Sequence, residues 1–192
     1  GLDAYGLNLA PDLGYPEATG QDRNREQWVS NTISHNTVVV NEAPQAGLKK
    51  TGFPLHFDDA GKVKVADVDE RFRYAGAASI YRRSMVMVEV DDTVSYFVDF
   101  FRIKGGNDHL YSFHSQSNTI AETVGLNLVG QDGGTYAGAN VPYGPLGAYG
   151  NSEGLKGYSW LTNPQRDLSP KGDSFAIDFK ITDFRRVFPM DM

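Results

Sequence analysis

Few of the 192 residues combine a reactive side chain with a telling position: the chain has four histidines and no cysteine. His35 stands near the start of Ser34-His35-Asn36-Thr37-Val38-Val39-Val40-Asn41-Glu42, and Asp12 precedes it by 23 positions. An imidazole and a carboxylate suit zinc, which takes nitrogen and oxygen donors in a tetrahedron of three or four protein ligands. Two donors do not make a site, and a hydrogen-bonded histidine beside a turn aspartate fits the same spacing. Without cysteine, thiolate ligation and disulfides are excluded, and redox usage says nothing of the compartment.

The other candidates are weaker. His109 and His114 are five apart, an odd interval that would send them to opposite faces of an unbroken strand. His56 and Asp58 have same-face spacing, but they follow Pro44, Gly47, Gly52 and Pro54 and read as part of a polar loop. Arg82, Arg83 and Arg102 sit in apolar strands, where a guanidinium must pair, with Asp99 or Glu89 the expected partners, or line a cleft that grips a substrate carboxylate. Tyr136, Tyr143, Tyr149 and Trp160 are candidate surfaces for stacking on sugar rings. Asp91-Asp92 reads as a hairpin turn rather than a glycosidase pair, and there is no Ser-His-Asp order or phosphate loop.

The elements that must position these groups read as strands. Residues 2–9 alternate imperfectly and end at the turn residues Pro11-Asp12-Leu13-Gly14-Tyr15-Pro16. Residues 21–28 are polar and suit a short helix or a loop. Thr37 to Val40 is a β-branched run that fits a buried pleated surface. Residues 62–68 alternate valine with lysine, which predicts a solvated lysine face. Residues 79–103 form the strongest signal, a long hairpin turning at Asp91-Asp92-Thr93, with apolar content on both faces. Further strands are expected over 108–114 and 174–183. Between them, residues 130–157 carry nine glycines, which predicts a long loop acting as a lid or a free excursion.

The totals narrow the class. A formal net charge of −6 without a basic block argues against a nucleic-acid binder, which needs cations to displace phosphate counterions. A negative protein can still hold a locally positive cleft, so acidic polysaccharides stay open. No apolar run is long enough to span a membrane. Residues 1–192 read as a single β domain cut at both ends, since Gly1-Leu2-Asp3 starts inside a strand and no stop signal follows residue 184.

Taken together, Asp12-Leu13-Gly14-Tyr15-Pro16, Ser34-His35-Asn36-Thr37-Val38-Val39-Val40-Asn41, Tyr81-Arg82-Arg83, Val98-Asp99-Phe100-Phe101-Arg102-Ile103, Gly105-Gly106, and the segment from His109 to Phe113-His114 resemble the heparinase II/III-like polysaccharide lyases. The resemblance covers roughly the first 115 positions, and the His-Asn-Thr-Val strand is its most specific part. It implies an all-β, antiparallel β-sandwich (supersandwich-like) that in the family follows an α/α toroid absent here. It also implies that Asp12 and His35 are two zinc ligands, with a third, from a His-x-His-x-Asp segment, expected upstream of Gly1. The family cleaves uronic-acid polysaccharides by β-elimination, using Tyr, Asn and His residues with no counterpart in this chain. The implied setting is periplasmic or extracellular, the implied partners an acidic polysaccharide and the toroid. An exposed sheet edge could also pair with a second copy of the chain. The competing reading is a non-catalytic carbohydrate-binding or purely structural sandwich.

Overall fold

The computed structural model describes residues 1–14, 20–46, 52–117, 119–172 and 174–181. Tyr15, Pro16, Gly47 and the end of the last expected strand, with the tail after it, lie outside the described residues. In chain order the strands are β1 (Leu2–Ala4), β2 (Leu7–Ala10), β3 (Thr37–Val40), β4 (Phe53–Asp58), β5 (Val63–Asp69), β6 (Ala78–Glu89), β7 (Ser95–Gly105), β8 (His109–Ser112), β9 (Ile120–Val124), β10 (Leu128–Gly130), β11 (Gln165–Asp167) and β12 (Ala176–Phe179). Helical structure is confined to short turns. The expectation of an all-β, sandwich-like fold built from antiparallel sheets therefore holds. Among the described residues no helix is long and apolar enough to cross a membrane.

The chain divides into two compact units, one of residues 38–111 and one of residues 1–37 with 112–192. The first holds the four-stranded sheet β4-β5-β6-β7. Its spine is the β6–β7 hairpin, in register from Tyr81 opposite Ile103 to Glu89 opposite Ser95. The turn forms as its sequence predicts, because Asp91 Oδ1 accepts hydrogen bonds from the Thr93 and Val94 amides and the Thr93 hydroxyl, each at 2.8 Å. At the far end β7 leaves through Gly105 at φ 107°, where a Cβ would stand 2.4 Å from the Ala77 carbonyl oxygen. The core gathers Val38, Val40, Tyr74, Ala78 and Tyr81, with Phe101 and Ile103 packed against them. Full burial of each such large side chain contributes about 1.5–3 kcal/mol. The Tyr81 hydroxyl donates to the Val38 carbonyl at 2.6 Å, which satisfies a polar group inside that core.

Several local expectations are corrected here. Residues 53–58, read as loop, form edge strand β4; Pro54 is tolerated because an edge strand can lack a ladder donor. His56 and Asp58 accordingly lie on a strand. The single strand expected over residues 2–9 is a hairpin, β1 with β2, whose Tyr5-Gly6 turn takes positive φ at both residues. On β5 the lysine face is solvated only in part, with Lys62, just before the strand, exposed. Lys64 and Ala66 are half-buried, and the opposite, valine face carries the buried carboxylates of Asp67 and Asp69. Of the three arginines one pairs as expected: Arg83 holds Asp99 with bonds of 2.9 and 2.8 Å, but Arg82 pairs with Asp67, and Arg102 pairs with no carboxylate among the described residues. Parity is the reason, since positions 82 and 99 point to opposite faces of the sheet while Asp67 shares the face of Arg82. Glu89 pairs instead with Lys64.

In the second unit, β1–β2, β9–β12 and β10–β11 are separate two-stranded sheets. What binds its loops is a five-residue π-helical turn, Arg25–Val29, preceded by Arg23 and followed by Asn31. The fully buried Gln27 amide donates to the Leu146 carbonyl and accepts from the Leu146 N–H, both at 2.9 Å. Arg23 donates to the Gly147 carbonyl, Glu26 accepts from the Gly150 N–H, and Asn31 donates to the Leu155 carbonyl. The glycine-rich stretch 130–157 is indeed irregular, but it is tied down through these backbone groups rather than left as a free excursion. Gly157, at φ 71°, closes it: a Cβ there would stand 2.4 Å from an Ile33 methyl.

Candidate functional site

The approach to β3 is what aims His35. Asn31 caps the 3-10 turn Thr32–Ser34 by accepting the Ile33 N–H, and His35, extended at φ −111° and ψ 159°, bonds back through its N–H to the Thr32 carbonyl. On the other side, Asp12 follows β2 in a tight turn whose Gly14 takes φ 73° and donates its N–H to Asp12 Oδ1 at 2.9 Å. The second oxygen, Oδ2, meets His35 Nδ1 at 2.7 Å. Because an ionised carboxylate can only accept, the proton belongs on Nδ1, and the lone pair of Nε2 is left for a metal or another donor. The pair is partly open to solvent, with side chains 31% and 54% exposed. The Gly14 amide first, and the His35 hydrogen bond second, hold the Asp12 carboxyl below its ordinary range.

Asn36 fixes the surroundings of this pair. Its Oδ1 accepts the His114 N–H at 2.5 Å, and its Nδ2 reaches the Pro11 carbonyl at 3.5 Å, one residue from Asp12. The His114 ring turns the other way, Nε2 lying 2.7 Å from the Ile33 carbonyl, which the Ser112 hydroxyl also reaches at 2.6 Å. His114 is thereby engaged by backbone, as is His109, whose Nε2 meets the Gly105 carbonyl at 2.7 Å. Neither joins Asp12 and His35. Sequence spacing did not signal Asn36, Ser112 or His114 as neighbours, because the contacts of Asn36 and Ser112 span 78 and 79 residues.

The stacking candidates separate into different settings. Tyr143, 64% exposed, meets Trp160 edge to face with centroids 5.3 Å apart, and Trp160 stacks on Trp28 at 6.4 Å. Trp28 also meets the His114 ring edge-on at 6.0 Å, a role that nothing in its sequence setting announced. Tyr136 packs against Tyr158 and lies under the Arg166 guanidinium, and Tyr149 stands exposed.

For zinc, the contacting nitrogen and carboxylate oxygen could both serve as ligands only with the ion in place of the proton that they share, whereas zinc on Nε2 would leave Asp12 behind the ring as the group that orients it. Among the described residues no group of three or more His, Cys, Asp or Glu side chains is placed to hold a metal. The fit is thus to at most two ligands, on side chains partly open to solvent. Comparison of the chain with protein-family models, with curated proteins and with solved structures gave no match.

Proposed function

We propose that this chain is the β-sandwich portion of a heparinase II/III-like polysaccharide lyase, acting on a uronic-acid polysaccharide in the periplasm or outside the cell. The observation that supports this reading is the meeting of Asp12 with His35 across 23 residues of chain, at the mouth of the His-Asn-Thr-Val strand. In this reading zinc would take the place of the proton that Asp12 and His35 share, so that both become its ligands, and the rest of the set would come from outside the chain. Zinc so held supplies a cross-link between the turn after β2 and the start of β3, and its binding free energy adds to folding.

The chemistry belongs to residues of an α/α toroid. A base takes the proton from C5 of the uronate, the electron pair forms the C4–C5 double bond, the C4–O bond breaks, and an acid protonates the departing oxygen. The sandwich residues hold the wall of the cleft in place and move no proton.

A zinc titration of the chain tests the ligand assignment. Zinc should raise the melting temperature of the wild type and leave that of His35→Ala unmoved. Equal shifts in both would remove the metal site. An enzyme that carries the toroid should release unsaturated, ultraviolet-absorbing products. A second reading, a non-catalytic carbohydrate-binding sandwich, is favoured by the open face of Tyr143 braced on Trp160. It would give sugar binding without such products.

A further inference from the structure

One patch of the four-stranded sheet reverses the sign of an otherwise acidic chain. On one face of the sheet, Arg82 of β6 stands directly opposite Arg102 of β7. Side chains so paired have Cβ atoms about 4.5–5.5 Å apart, and like charges there repel. The two nearest carboxylates are already engaged: Asp69 by Arg71, and Asp67 by Nε and Nη2 of Arg82. Arg102 is exposed and makes no hydrogen bond or ion pair among the described residues, although its charge helps to lower the Asp67 carboxyl. Lys104 follows on the same face of β7 and is also exposed. Four cations thus share this end of the sheet face with two carboxylates. The Nη1 group of Arg82 and the whole planar fork of Arg102 remain to receive an acceptor. Towards the other end of the same face, Phe100 and Tyr96 on β7 are 50% and 53% exposed, so an apolar ridge continues from the charged end.

We propose that Arg102, with Arg82 beside it, binds an oxoanion, the carboxylate or sulfate of a polyanionic glycan lying along β7. This rests on the reading of an acidic polysaccharide as partner, but on neither the zinc ligands nor the elimination chemistry. A guanidinium pair suits a planar or tetrahedral oxoanion because each fork can give two parallel hydrogen bonds. An anion between the two arginines also removes the repulsion that their register imposes. The patch is too small, and the chain too acidic, to follow a nucleic-acid backbone.

Calorimetric titration of the full chain with a polyuronate, a sulfated glycan and inorganic sulfate tests this, using Arg102→Ala, Arg102→Lys and, as a charge-matched control, Lys171→Ala. Arg102→Ala should weaken glycan binding by about tenfold, the loss of one charge-assisted contact. Arg102→Lys should recover part of the loss, and Lys171→Ala should change affinity less than about twofold. Which glycan shows the Arg102 dependence tells whether carboxylate or sulfate is the ligand, and inorganic sulfate should bind more weakly than either. Amide shift changes on β7 in the wild type keep the test informative should a variant fold poorly. Equal losses for Arg102→Ala and Lys171→Ala, no loss in either, or no glycan binding by the wild type would overturn the proposal, while the zinc titration would be unaffected.

Discussion

The two compact units are centred on opposite kinds of interior. In residues 38–111 the buried centre is Val38, Val39, Val40, Tyr74, Ala78 and Tyr81, and its buried carboxylates, Asp67 and Asp69, are paired to arginines. In the other unit Gln27, Asn31, Thr32, Ser34, Thr135 and Ser159 are buried beside Ala10 and Ile33. An apolar centre loses stability in proportion to the contact removed. A polar centre fails differently, because one missing side chain strands the backbone groups it served.

The sharpest way to break this contrast is Gln27→Leu. It should cost about 2–6 kcal/mol, since the Leu146 N–H and C=O would each lose a partner, at about 1–3 kcal/mol apiece. Denaturant unfolding measures it, and a neutral result would show that the polar centre behaves like an ordinary core. Val40→Ala, at a fully buried position of the apolar centre, should cost about 2–4 kcal/mol through its cavity. Local hydrogen exchange should report that loss within residues 38–111 first. Gly157→Ala should cost about 1–2 kcal/mol from its left-handed backbone, plus whatever shift Ile33 must make, and should lower the melting temperature.

The smallest effect belongs to Asp12→Asn at the partly exposed pair, under about 1 kcal/mol at neutral pH without zinc. Its signature is in pH. The folded Asp12 carboxyl titrates below its ordinary value of 3.8, so in that window the unfolded chain binds more protons. The stability it contributes is complete above that value and is lost as the pH falls through the folded one. Asp12→Asn should flatten this acid limb, and an unchanged limb would mean that neither the Gly14 nor the His35 hydrogen bond of Asp12 persists in solution.

What could be read from the chain was what depends on short periods. The 79–103 hairpin, its Asp91 turn and the Arg83–Asp99 pair follow from alternation and parity. Strand β4 was hidden because Gly52 and Pro54 are turn residues in isolation, and only a place at the sheet edge makes Pro54 acceptable. The Tyr5-Gly6 turn lacks the Asn-Gly signal of a tight hairpin. At the candidate site, His35 and Asp12 stood out by residue type and by the resemblance of their segments. Asn36 did not, since an asparagine that bridges two backbone segments looks like any other polar residue before a strand. The aromatic set divided for a similar reason: Tyr136 and Tyr143 sit in similar glycine-rich surroundings but find different partners.

The Gln27 clamp has a further consequence for how tolerance to mutation is read. An amide that both donates to and accepts from one residue has a single chemical equivalent among the other side chains, asparagine, and that one is a methylene too short. A scan of every substitution at every position should therefore rank position 27 among the least forgiving, although Gln27 is fully buried and grips nothing but the protein's own backbone. Intolerance at such a position marks a hinge of assembly, and a map of the site drawn from intolerance alone would be drawn too large.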